Sequence, residues 1–187
     1  MAIDWTIPQN FNPIYNDCFH FEIRELPKVS GFAQRFNMPG LRLGKAVRMT
    51  PMVDYDMPGE KIEFEELEIA FLVDENIENF MEIYHWIVYL GFPRNTEQFR
   101  KMMNGETRFT ETSDIILTTT TNKANPNRRI HFVDAFPTNL TPVEFTNIDQ
   151  TTTPLIASAM FGYKYYYFEG QDETIDGIDK GHNPRIV

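Results

Sequence analysis

Along residues 61–93, KIEFEELEIAFLVDENIENFMEIYHWIVYLGFP, the apolar positions change period. The first half alternates apolar and polar residues with period 2, as a half-buried strand does. The second half repeats apolar residues at i, i+3, i+4 and i+7, as a helix lying on a core does. Ile62 and Phe64 share one parity, and Leu67, Ile69, Phe71 and Val73 share the other. A regular strand cannot turn both sets toward one core, so the pattern predicts a β-bulge at Glu65-Glu66. A helix is expected over about residues 75–91. Asp74 or Asn76 is placed to cap it, and Asp74, Glu75 and Glu78 sit near the positive end of its dipole. Ile77, Phe80, Met81, Tyr84, Ile87 and Val88 form the expected core stripe. Gly91 suits the C-cap and Pro93 forbids continuation.

Most of the remaining chain reads as strand. Phe19, Phe21 and Ile23 alternate with His20, Glu22 and Arg24, a half-buried antiparallel strand stopped by Leu26-Pro27. Residues 31–37 read as a second strand, followed by a turn at Met38-Pro39-Gly40. The run 41–53 is extended but poor in bulky core residues, and Met57-Pro58-Gly59 ends the next piece. This segment reads as a projecting hairpin, or as a strand that pairs outside its own core. Residues 94–112 read as a loop with one helical turn near Gln98–Met103. Residues 113–134 read as a hairpin about the turn Asn122–Asn127. Phe136-Pro137 and Thr141-Pro142 bracket a short turn, and Val143–Phe145 is briefly extended. Residues 155–168, LIASAMFGYKYYYF, read as one long strand with Leu155, Ala157, Ala159, Phe161, Tyr163, Tyr165 and Tyr167 on one face. An arm (1–17) and an acidic tail (169–187) flank a single domain. The expected fold class is mainly β: an antiparallel sandwich or barrel with one packed helix.

The aromatic content of 14% fits that class, because aromatic side chains suit pleated, half-buried surfaces. The net charge of −10 is unevenly spread. Residues 60–82 hold nine acids and one base, and residues 28–48 hold five bases and no acid. An acidic chain is a poor sequence-independent binder of nucleic acid. The blocks are either two solvated faces or a self-complementary pair, the bases of one copy meeting the acids of the next. On the second reading Arg35, Arg42, Lys45 and Arg48 are interface candidates on one side. Glu63, Glu65, Glu66 and Glu68 are their counterparts.

Candidate chemistry is sparse. His20, His85, His131 and His182 stand far apart, without ligand spacing. Asp54-x-Asp56 opens like a calcium loop but lacks the glycine and the closing glutamate. There is no phosphate-binding glycine loop and no GxSxG. The single Cys18 excludes an internal disulfide framework and a cysteine-based zinc site. The run Tyr163–Phe168 could stack on bases, but Lys164 is the only cation there. The opening residues MAIDWTIPQNF lack the pattern of a signal peptide, and no apolar run approaches the length of a membrane helix. Neither an enzyme nor a catalytic, cofactor or metal site is expected.

In order, these pieces resemble the tail tube protein family of contractile-tailed bacteriophages, which is related to the type VI secretion inner tube. The matching features are the strand ending in Leu26-Pro27, the turn Asn37-Met38-Pro39-Gly40-Leu41, and Pro58-Gly59-Glu60 before IEFEELEIAFLVDE. They continue with the helix ENIENFMEIYHWI, Ser113-Asp114, Phe136-Pro137-Thr138 and the closing FGYKYYYF, so the resemblance spans roughly residues 18–168. It implies six copies closing into a ring, with strands from all six forming one barrel around a channel. Rings stack into a tube for passage of double-stranded DNA in the virion tail. It implies partners in the sheath, baseplate and tape-measure proteins, no membrane, no cofactor and no catalysis. A tube-capping baseplate or terminator protein and a secretion-system tube share the fold. A small ligand-binding barrel or enzyme would instead need a lined pocket. On the tube reading, the run Leu41–Asp56 would contact neighbouring copies.

Overall fold

The structure, a computed structural model, describes residues 13–91, 95–146 and 153–169. Most of the arm and the tail, and Pro93, lie outside these residues.

Strand β1 (Phe19–Ile23) follows the expected alternation, with Phe21 and Ile23 buried. Pro27 does not simply stop it. Pro27 occupies the first turn of a short helix α1 (Pro27–Phe32), where its missing N–H costs nothing. Val29 anchors that helix in the core, and the Ser30 hydroxyl donates back to the Leu26 carbonyl at 3.1 Å. The second strand, β2 (Ala33–Asn37), therefore begins later than the apolar pattern suggests. Next come β3 (Leu41–Arg48), β4 (Tyr55–Phe64) and β5 (Leu67–Leu72). The expected bulge at Glu65-Glu66 is a break instead: β4 pairs with β3 in a separate two-stranded sheet, and β5 pairs with β2 and β8. The parity change marks a change of sheet. Met57-Pro58-Gly59 lies within β4, and the hairpin turns at residues 49–54. Pro58 is tolerated because a two-stranded ribbon has a free edge on each strand.

Helix α2 (Glu78–Gly91) starts after a tight turn in which the Ile77 N–H donates to the Asp74 carbonyl at 2.8 Å. The capping work falls to neither Asp74 nor Asn76. Asn79, fully buried, donates to the Leu72 carbonyl at 2.7 Å and accepts from the Asp74 N–H at 3.2 Å. Ile77 sits at φ +58°, a left-handed conformation that a β-branched residue adopts only under constraint. The buried face is Asn79, Glu82, Ile83 and Trp86, while Ile77, Met81 and Tyr84 of the expected stripe are exposed. Phe80 and Ile87 pack on the core from its rim. The helix is thus turned by roughly two fifths of a revolution from the apolar stripe. Two shorter helices join it among the described residues, the six-residue α1 and the eight-residue α3 (Thr96–Met103), the latter over the helical turn expected near Gln98–Met103, so α2 remains the one long helix there.

Strands β6 (Ser113–Thr120) and β7 (Pro126–Leu140) form the expected hairpin, with Ala124 at φ +60° in its turn. β7 then runs on through Phe136-Pro137, where the sequence suggests a turn. At Asp134, φ +52°, an extra residue bulges out. Beyond it β7 leaves β6 and pairs with β8 (Ile156–Gly162). The long aromatic strand is likewise two strands, β8 and β9 (Tyr165–Phe168), broken at Tyr163-Lys164. Tyr166 turns to the core, and Tyr167 faces outward, stacked on His131 with ring centroids 5.0 Å apart. A one-residue irregularity has reversed the face that alternation assigned to Tyr165 and Tyr167.

The main sheet has seven strands in the order β1-β6-β7-β8-β5-β2, with β9 also on β7. The bend in β7 folds its two halves face to face. Phe36 of β2 meets both Phe19 of β1 and Phe132 of β7 at 6.4 Å between centroids. The path stays open between β1 and β2, so among the described residues there is no closed barrel. Phe21, Phe71, Phe132, Phe161 and Leu117 fill the space between the halves, and Ile83 and Trp86 of α2 join the same core. The fold is mainly β and antiparallel, as expected.

Candidate functional site: a free-standing ribbon and its roots

Strands β3 and β4 project as a two-stranded ribbon, and among the described residues neither pairs with any other strand. A lone hairpin in water is marginally stable at best. This one also exposes Leu41, Leu43, Val47, Tyr55, Met57 and Ile62 along its length, and Met49, Met52 and Val53 at its tip. Met52 is 97% exposed. Apolar side chains are thus exposed on both faces of the ribbon, Tyr55 and Met57 lying opposite Arg48 and Ala46, and exposure on this scale marks an interaction site. By register, Leu41, Leu43, Ile62 and Phe64 share one face, while Arg42 and Glu63 stand opposite each other on the other. The strands approach closely where Gly59 crosses Gly44. A Cβ at residue 59 would lie 2.6 Å from the Gly44 carbonyl oxygen.

The charged residues singled out in the sequence separate into two groups. Arg35 and Glu68 meet across β2 and β5 at 3.3 Å, and Lys45 pairs with Asp56 of its own ribbon at 2.8 Å. Lys28 pairs with Glu78 of α2. These contacts are exposed and individually weak. Glu65 is bound to its own chain, its Oε2 accepting from the Gly40 N–H at 3.2 Å. Arg42, Arg48, Glu63 and Glu66 are exposed and have no partner among the described residues.

The ribbon is gripped at its roots by the break between β8 and β9. The Phe64 ring meets Tyr163 at 5.9 Å and Tyr166 at 5.8 Å, both edge-on. The Tyr163 hydroxyl donates to the Glu65 carbonyl at 2.8 Å. Burial pushes the Tyr163 pKa up to about 12, with Tyr166 and Glu65 adding to the effect. The break is pinned by Lys164 donating to Asp134 at the bend of β7. That bond, with help from the Thr112 hydroxyl at 3.1 Å, holds the Asp134 carboxyl below its ordinary range. Neither the tyrosine grip nor the Asp134–Lys164 pin is visible as a motif. The one local signal is the Gly162-Tyr163-Lys164 interruption in an otherwise apolar run.

Two carboxylates are buried elsewhere. Glu25 accepts from the hydroxyls of Ser113 and Thr110, and Glu82 pairs with Arg108 at 2.7 Å. Both tie loops to the core. Among the described residues no cluster of His, Cys, Asp and Glu could hold a metal ion, and no helix is long and apolar enough to cross a membrane.

No family model and no curated protein sequence matches the chain. Solved structures do. A chain of the anti-feeding prophage tube-terminating cap matches with a TM-score of 0.57 at 14% identity, over 90% of this chain and 99% of that one. A chain of the six-fold symmetrised anti-feeding prophage baseplate matches with a TM-score of 0.55 at 13% identity, over 84% and 95%. The chain therefore shares its fold with these two chains, in agreement with the fold that the resemblance of the sequence implies.

Proposed function

We propose that this chain is a structural subunit of a contractile-tail tube. Copies close into six-membered rings that stack around a channel for double-stranded DNA in a phage tail. The observation that carries the reading is the ribbon: a two-stranded element with exposed apolar side chains that pairs with no other strand among the described residues, on a fold like that of chains from the anti-feeding prophage cap and baseplate. A neighbouring copy supplies the missing cover. The exposed Arg42 and Arg48 on β3 then meet acids of that neighbour, with Glu63 and Glu66 as the complementary candidates, and long-range attraction sets the register. With a net charge of −10, an acidic channel repels the passing phosphates and keeps DNA from sticking. Sheath, baseplate and tape-measure proteins are the partners such a tube requires.

The likeness to a tube-terminating cap favours a second reading, in which the chain ends a tube rather than forming its body. Electron microscopy of the concentrated protein separates the two. A body subunit gives stacked rings of open length, a cap stops at one ring, and a protein that stays monomeric at every concentration refutes both. Arg42→Glu with Arg48→Glu is expected to raise the concentration needed for assembly while leaving the monomer folded. Undiminished assembly of that double variant removes the charge-matching part of the proposal.

A further inference from the structure

Two tyrosine hydroxyls from one short segment reach the two roots of the ribbon. Tyr166 donates to the Pro39 carbonyl just before β3, at 3.5 Å, and Tyr163 donates to the Glu65 carbonyl just after β4, at 2.8 Å. Glu65 closes the gap between the roots. Its N–H donates to the Gly40 carbonyl at 3.2 Å, and its Oε2 accepts from the Gly40 N–H at 3.2 Å. A Cβ at residue 40 would lie 2.8 Å from that carboxylate oxygen, so a larger residue there would displace the Glu65 side chain. Since β3 and β4 pair with no other strand among the described residues, the direction of the ribbon relative to the core is set at these roots.

We infer that Tyr163, Tyr166 and Glu65 are positioning residues that aim the ribbon for assembly with a second copy of this chain. The inference rests on the tube-subunit reading above. It assigns Glu65 a role different from the one its charge suggests. The carboxylate serves as an acceptor for a backbone amide of its own chain, so an amide oxygen at the same position does the same work. A neighbour's cation would demand the charge itself. Pre-aiming matters because an unaimed ribbon must lose its orientational freedom at the moment of association, and that loss weakens binding.

Four variants of the full-length protein test this: Tyr163→Phe, Tyr166→Phe, Glu65→Ala and Glu65→Gln. Two readouts are used, amide hydrogen exchange on the dilute protein and the concentration at which rings form. Tyr163→Phe and Glu65→Ala are expected to speed exchange at the Glu65 and Gly40 amides about fivefold each, equivalent to about 1 kcal/mol per lost hydrogen bond. Tyr166→Phe, which removes the longer bond, is expected to act less. Ring formation then needs a protein concentration at least several-fold higher, while the thermal midpoint of the core stays within a few degrees. Glu65→Gln is expected to match the wild type in both readouts. If Glu65→Gln is as impaired as Glu65→Ala, the charge is what matters and the inference is overturned. It is also overturned if Tyr163→Phe leaves exchange at Glu65 unchanged. A wild type that forms no rings removes the tube reading, and the assembly role with it. The exchange data on the dilute protein then still decide whether the grip itself exists.

Discussion

The orientation of α2 makes an unforced contrast between two neighbouring apolar positions. Ile83 is fully buried in the core, whereas Met81 is 46% exposed. Truncating Ile83 to alanine removes three buried carbons and leaves a cavity that close packing on the sheet cannot fill. Such changes cost about 2–5 kcal/mol. Taking about 3 kcal/mol as central, and about 2–4 °C per kcal/mol for a domain of this size, the thermal midpoint should fall by roughly 6–12 °C. Met81→Ala forfeits only the half of the side chain that is covered, worth about 1 kcal/mol at most. Alanine's better helix propensity offsets part of that loss. The assay is thermal and urea unfolding followed by circular dichroism, at concentrations where the protein is monomeric. An unchanged urea slope confirms that native and unfolded states keep their exposure. If Met81→Ala costs as much as Ile83→Ala, the helix lies on the stripe that the apolar periodicity marks, and Ile83 and Trp86 do not form its core face.

Two further perturbations address the bend in β7 and the ribbon. The Asp134 carboxyl is held below its ordinary range mainly by Lys164. Its contribution is therefore present above the unfolded-state value, about pH 4, and is lost as the pH falls through the lower folded-state value. Asp134→Asn keeps a side chain that tolerates the left-handed backbone but removes the charge. The stability gap between wild type and variant should shrink as the pH drops from about 5 to about 2. A gap that does not change with pH excludes the Lys164 contact as its source. Separately, Gly59→Ala must push the ribbon strands apart at Gly44, at a local cost of about 1–3 kcal/mol by analogy with overpacked cores. Ribbon amides should exchange faster while core amides keep their protection, and faster exchange in the core as well would mean the ribbon is not independent of it.

What the sequence revealed and what it hid follow a physical division. β1 and the β6–β7 hairpin were legible because their signals are local: alternation of period 2, and a turn rich in Asn and Pro. The parity change at Glu65-Glu66 was equally visible, but its meaning was not. A bulge and a change of sheet leave the same trace in alternation, and only the partners of β4 and β5 distinguish them. The break at Tyr163-Lys164 was hidden for a related reason. Tyrosine is compatible with either face of a strand, so a reversal of face costs the pattern nothing. Helix α2 failed differently. The stripe through Met81 and Tyr84 scores as apolar, but the single largest side chain, Trp86, lies on the opposite side and takes the core. Its ring N–H reaches the Thr110 carbonyl at 2.7 Å, a bond that burial makes obligatory. The polar residues Asn79 and Glu82 then follow it inward, one tying down the helix start and the other meeting Arg108.

The charge blocks show the same division at the candidate site. Their existence is compositional and could be read directly, but the pairing inside them depends on approach between residues far apart in the chain. Gly40 and Glu65 are 25 positions apart, and Glu65 and Tyr163 are 98 apart. Arg35, Lys45 and Glu68 have partners in their own chain, so in the proposed assembly charge matching between copies would rest on fewer groups than the composition implies. In that proposal the apolar side chains of the ribbon would carry more of the association. It follows that assembly should be less sensitive to salt than a count of the two blocks suggests, because apolar burial is not screened and exposed ion pairs are.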